Sequence, residues 1–115
     1  MKGCEDIASR IDYYLKDWRQ DANGVIYSNG SGPIGTFLLK AACPRFGTGE
    51  AKGVLYETVR GHDIFIISDV FNYGVNFNMY GTEVPMSPDD HYQDLKRIIA
   101  ALNGKAKRIT VIMPM

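Results

Sequence analysis

Arg60-Gly61-His62-Asp63-Ile64-Phe65-Ile66-Ile67-Ser68 is the stretch whose reading decides the fold. A punctuating Arg-Gly-His-Asp gives way to an unbroken apolar run rich in β-branched residues. Such a run fits a strand buried on both faces, and Ile64 to Ser68 is expected to be a central strand of a parallel sheet. Downstream, Ser87-Pro88-Asp89-Asp90 combines a capping hydroxyl, a proline suited to the first helical position and two carboxylates that complement the helix dipole. A helix should start near Asp89. Leu95, Ile98, Ile99 and Leu102 then recur at helical spacing, and Gly104 stands where a left-handed C-terminal cap is wanted. Arg108-Ile109-Thr110-Val111-Ile112-Met113 reads as a second strand. Strand, helix and strand make a β-α-β unit, whose two strands should pair in parallel.

Upstream, Ile7, Ile11, Tyr14, Leu15 and Trp18 form one stripe on an amphipathic helix over residues 4–20, with Glu5 and Asp6 in its first turn and Asn23-Gly24 as a stop. Residues 24–35 read as a loop with room for one short strand at Val25-Ile26-Tyr27. Residues 36–42 and 54–59 are apolar and β-branched, and the turn-forming Pro44-Arg45-Phe46-Gly47-Thr48-Gly49-Glu50 lies between them. A β-hairpin is expected. Residues 71–86 mix Phe71, Tyr73, Phe77 and Tyr80 with Asn72, Asn76 and Asn78, and read as an irregular insertion; its aromatics could stack bases, but with net charge zero a packed lid or a subunit contact is the favoured reading.

With 115 residues, 45% of them hydrophobic, the chain suits one compact domain. Thirteen basic side chains balance thirteen acidic ones, which disfavours nucleic acid and anionic membranes as partners. Cys4 and Cys43 lie far apart, with no signal peptide or membrane-spanning run, so a soluble protein of the reducing cytoplasm is expected.

Local chemistry names no catalytic residue. Gly47-x-Gly49-x-x-x-Gly53 lacks the strand, glycine and helix order of a dinucleotide fingerprint, and no Walker A sequence occurs. Asp89, Asp90 and His91 are explained by capping and the helix dipole, so no metal ligands are assigned. His62-Asp63 has no nucleophile at a recognisable spacing, and Cys43 reads as a small apolar residue at a strand end.

Taken in order, Arg45-Phe46-Gly47-Thr48-Gly49-Glu50, Val59-Arg60-Gly61-His62-Asp63-Ile64-Phe65-Ile66-Ile67-Ser68 and Arg108-Ile109-Thr110-Val111-Ile112-Met113-Pro114 resemble three successive segments of the N-terminal domain of the ribose-phosphate diphosphokinase, or phosphoribosyl pyrophosphate synthetase, family. Those segments usually read Arg-Phe-Ser-Asp-Gly-Glu, then V-R-G-x-D with an apolar strand and Gln-Ser, then R-I-T with a strand ending at Pro-Tyr. Asp94-Leu95 aligns with the Glu-Leu of the family's helix, and the match runs from about Ala42 onward. Gly47 and Thr48 stand where relatives have Ser and an adenine-recognising Asp, and the 71–86 segment is longer than the usual connection, as in a divergent bacterial branch.

The resemblance implies an α/β fold: a phosphoribosyltransferase-like parallel sheet flanked by helices, with a β-hairpin. It implies a single N-terminal domain over 1–115, the N-terminal half only, truncated before the C-terminal catalytic domain. Full-length relatives transfer the β,γ-diphosphate of Mg-ATP to ribose 5-phosphate, and their hairpin binds ATP in a site completed by another chain. Carried over, this makes Phe46, Thr48 and Glu50 ATP-binding candidates and a homo-oligomer, at least a dimer, the expected assembly. Mg2+ and ATP are the parent's cofactors, and this fragment, requiring neither, is expected to be inactive alone. The alternative is a noncatalytic synthetase-like association or regulatory domain.

Overall fold

A computed structural model describes residues 1–26 and 33–114. The chain forms two compact units, Glu5–Leu39 and Met1–Cys4 with Lys40–Met115.

The first unit is built on helix α1, Glu5–Arg19, with Glu5 and Asp6 in its first turn and Lys16 and Arg19 in its last, as the dipole favours. The sequence points to the Ile7, Ile11, Tyr14 and Trp18 stripe as its packed face. Those four side chains are instead exposed, and the buried residue of α1 is Asp12. Its carboxylate accepts from the Phe37 N–H at 2.6 Å and the Thr36 hydroxyl at 2.9 Å, and pairs with the Lys16 ammonium at 2.9 Å. Residues 36–39 are therefore not strand, because Asp12 takes the backbone donor that a ladder would use. After α1, Gln20 bridges Ile26 and Asp21 Oδ1 accepts from the Asn23 and Val25 N–H groups, closing the predicted stop. The short strand expected at Val25-Ile26-Tyr27 is a single bridge at Ile26, and Tyr27 lies outside the described residues.

In the second unit, β1, Ala41–Ala42, pairs antiparallel with β2, Val54–Leu55, and Arg45 bridges Ala51 nearer the tip. This is the expected hairpin with shorter strands. β3, Asp63–Ile67, and β6, Arg108–Ile112, pair in parallel with Asp63 opposite Arg108 and Ile67 opposite Ile112, joined through α2, Pro88–Leu102. The ladder runs on at both ends, from Lys107 N–H to His62 O and from Ser68 N–H to Ile112 O.

β3 is not central, since among the described residues its strand partner is β6 alone. Its burial alternates: Ile66 is buried while Phe65 is 58% exposed. An apolar run shows that a strand has affinity for cover, and not how many neighbours supply it.

Residues 71–86, read from sequence as irregular, contain a regular hairpin. β4, Asn76–Met79, pairs antiparallel with β5, Thr82–Pro85, across a two-residue Tyr80-Gly81 turn. Both turn residues have positive φ, 51° and 81°, which matches the right-handed twist of the strands.

Ser87 caps α2 through a full capping box: its Oγ accepts from Asp90 N–H, and Asp90 Oδ2 accepts from Ser87 N–H. Leu95, Ile98 and Leu102 are buried with Cys4, Val59, Ile66 and Met86, and these make the core. The helix lies against β2, and just before that strand an added Cβ on Gly53 would stand 2.4 Å from Arg97 O.

Candidate functional site

Phe46, Thr48 and Glu50 sit together at the tip of the first hairpin. Phe46 N–H donates to Glu50 O at 2.7 Å and Gly49 N–H donates to Phe46 O at 2.9 Å, so Gly47, Thr48 and Gly49 form a three-residue loop. Gly49 takes the left-handed position of that loop, with φ of 88°, which a side-chain-bearing residue adopts only under strain. Thr48 lies in the turn between Phe46 and Glu50, and all three candidate side chains are exposed. One strand pair thus presents an aromatic face, a hydroxyl and a carboxylate.

Three supports hold the tip in place. Arg45 Nη2 meets Asp94 Oδ2 at 2.7 Å, while its Nη1 donates to Gly49 O at 3.2 Å. The guanidinium also lies over the Phe77 ring, 4.7 Å from its centroid. Finally, Tyr80 N–H donates to Gly47 O at 3.0 Å, joining the turns of the two hairpins. Phe77 and Met79, alternate residues of β4, point at the first hairpin, and an added Cβ on Gly49 would lie 3.1 Å from Met79 Sδ.

Asp94 is the anchor. Its second oxygen accepts from Arg97 Nη1 at 2.6 Å, its backbone carbonyl accepts from the Cys43 thiol at 3.7 Å, and the side chains of Arg45 and Asp94 are only 10% and 9% exposed. Burial pushes the Cys43 thiol up to about 11, and the Asp94 carboxylate beside it acts in the same direction. Cys43 is therefore a protonated thiol at neutral pH, in keeping with its reading as a small packing residue.

The remaining ligand-type residues have structural partners. Asp90 belongs to the capping box, and His91 is buried with Nε2 2.6 Å from Asn72 O. Asp63 pairs with Arg108 across the parallel strands, with Nε at 3.1 Å and Nη2 at 2.5 Å, and the hydrogen bond from that guanidinium lowers the Asp63 carboxyl below its ordinary value. Among the described residues, no three His, Cys, Asp or Glu side chains gather as a cation would need, and no helix is long and apolar enough to cross a membrane. At the carboxyl end of β3, Ser68 is buried with its Oγ unpartnered among the described residues.

The sequence reading missed Asp94, Phe77 and Tyr80 as parts of this site. Val75, Phe77 and Met79 alternate with asparagines ahead of Tyr80-Gly81, and that period of two was the available signal for the second hairpin. Nothing in the local sequence ties Asp94 to Arg45, which is 49 residues away.

A family model described as the N-terminal domain of ribose phosphate pyrophosphokinase matches residues 2–115. No curated protein and no solved structure matches the chain.

Proposed function

The chain belongs to the family of N-terminal domains of ribose phosphate pyrophosphokinase, and from that premise we propose that its first hairpin binds ATP for diphosphate transfer to ribose 5-phosphate in nucleotide biosynthesis. The observation that carries this reading is the supported tip, which keeps Phe46, Thr48 and Glu50 exposed on a loop braced by Arg45 and Asp94. Exposed aromatics on a braced scaffold are suited to stacking a base, because little backbone freedom remains to be lost on binding. Thr48 offers a hydroxyl to polar edges and Glu50 a carboxylate that accepts from an amino group. This donor set fits a nucleoside.

It does not make a resident metal site, since Glu50 is the one carboxylate on the 44–50 turn segment. Magnesium would arrive with the nucleotide phosphates, as that ion commonly does. No catalytic residue is assigned to the chain. Association with a second copy in the cytoplasm is part of the proposal, and the exposed rings of Phe46, Phe71, Tyr73 and Tyr80 support it. The same exposed aromatics also suit the second reading, a noncatalytic association or regulatory domain.

Titration calorimetry with Mg-ATP separates the two. Saturable binding by the chain that weakens at least fivefold in Phe46→Ala is the expected result. Absence of ATP binding, with self-association intact, would leave the association reading alone.

A further inference from the structure

We propose that Tyr80 is a second base-stacking residue of the nucleotide site, so that the base is gripped by Phe46 from the first hairpin and Tyr80 from the second. This rests on the reading of the first hairpin as a nucleotide-binding surface. Tyr80 is 77% exposed and Phe46 55% exposed, and the hydrogen bond from Tyr80 N–H to Gly47 O joins the Tyr80 backbone to the residue immediately after Phe46. Two exposed aromatic residues thus lie beside one backbone hydrogen bond at the meeting point of two turns.

The turn itself does not call for tyrosine. Tyr80 has φ of 51°, the left-handed region, at the first central position of a turn that favours asparagine, aspartate or glycine. Asn78 Oδ1 accepts from Gly81 N–H at 2.9 Å, and Met79 pairs with Thr82, so the turn is closed without the ring. Nor does the ring serve the core, and among the described residues it has no aromatic or cation–π partner. A bulky side chain held in a disfavoured conformation and left uncovered is a common mark of a ligand contact. A planar base is the partner that suits two aromatic faces, and stacking contributes binding without requiring further polar groups.

The second hairpin is braced for this role. Phe77 and Met79 lie against Gly49 and Arg45, which fixes the second turn relative to the first. The 76–85 hairpin then acts as an extension of the nucleotide site.

The test measures binding of ATP and of inorganic tripolyphosphate, which has no base, to the wild-type chain and to Tyr80→Asn, Tyr80→Phe, Tyr80→Leu and Phe46→Ala. Tyr80→Asn should weaken ATP binding about tenfold, leave tripolyphosphate unchanged and leave the thermal midpoint equal or higher, because asparagine suits the turn. Tyr80→Phe should bind like wild type, and Tyr80→Leu, which keeps bulk without a π face, like Tyr80→Asn. If Phe46→Ala loses ATP binding while Tyr80→Asn and Tyr80→Leu retain it, the role of Tyr80 is overturned and the nucleotide reading stands. Equal loss of ATP and tripolyphosphate in Tyr80→Asn also overturns it. A wild-type chain that binds no ATP removes both.

Discussion

Arg45 reaches from the first hairpin to α2 and meets Asp94 at 2.7 Å, with both side chains nearly buried. Asp94 also holds Arg97 at 2.6 Å, so one carboxylate pairs with two guanidinium groups. Asp94→Ala should therefore destabilise the chain by about 3 kcal/mol, since a partner removed from a buried pair leaves uncompensated charge. Arg45→Lys should retain the charge and lose the forked contact to Asp94 and Gly49 O, loosening the tip. Urea unfolding of both variants, with amide exchange at residues 46–50, checks this. Unchanged exchange in Arg45→Lys would show that the pair does not brace the tip.

Gly53→Ala should cost about 1–3 kcal/mol, because its Cβ would lie 2.4 Å from Arg97 O and 2.7 Å from the Arg97 carbonyl carbon. Backbone atoms of a helix cannot rotate aside as a side-chain tip can. Gly35→Ala is the control, having nothing among the described residues within 4 Å of the new atom. A thermal midpoint lowered in the first variant alone is the expected outcome.

The proposed self-association is expected to run through the first hairpin, where Phe46 is exposed. Sedimentation across a concentration series should show at least a dimer, and Phe46→Ala should weaken it by about 1–3 kcal/mol, as truncated interface anchors often do. A strictly monomeric wild-type chain at high micromolar concentration would refute this.

Cys43 should resist alkylation at pH 8, with its reactivity rising only as the pH approaches 11. Peptide mapping after iodoacetamide treatment, native against unfolded, reads this directly. Rapid native modification at pH 8 would contradict the burial that raises the thiol.

The Glu5–Leu39 unit should loosen in acid. Burial raises the Asp12 carboxyl, but the Lys16 ammonium, the Phe37 N–H and the Thr36 hydroxyl outweigh it, and the net shift is downward. A carboxyl held lower in the folded state than in the unfolded chain contributes stability that is fully present above the unfolded value of about 3.9 and is lost as pH falls through the lower, folded one. Asp12→Asn should remove most of this pH dependence. Amide exchange at Phe37, followed from pH 6 downward, is the measurement.

Local chemistry was sufficient for much of this molecule. Ser87-Pro88-Asp89-Asp90 starts α2 because capping and dipole effects act within one turn, and the parallel pairing of β3 with β6 follows from two apolar runs separated by a helix-length connection. The hairpin that carries Phe46, Thr48 and Glu50 was legible too, through its turn residues. Tertiary structure alone decided the rest. Asp12 could be recognised as a buried acceptor only once Phe37, 25 residues on, had come to it. Tyr80 became a neighbour of Gly47 only when two hairpins met, and Asp94 became the anchor of Arg45 only when α2 closed over β2. Propensity and periodicity are sums over adjacent residues, whereas a shared carboxylate or a bond between two turns depends on where distant segments arrive.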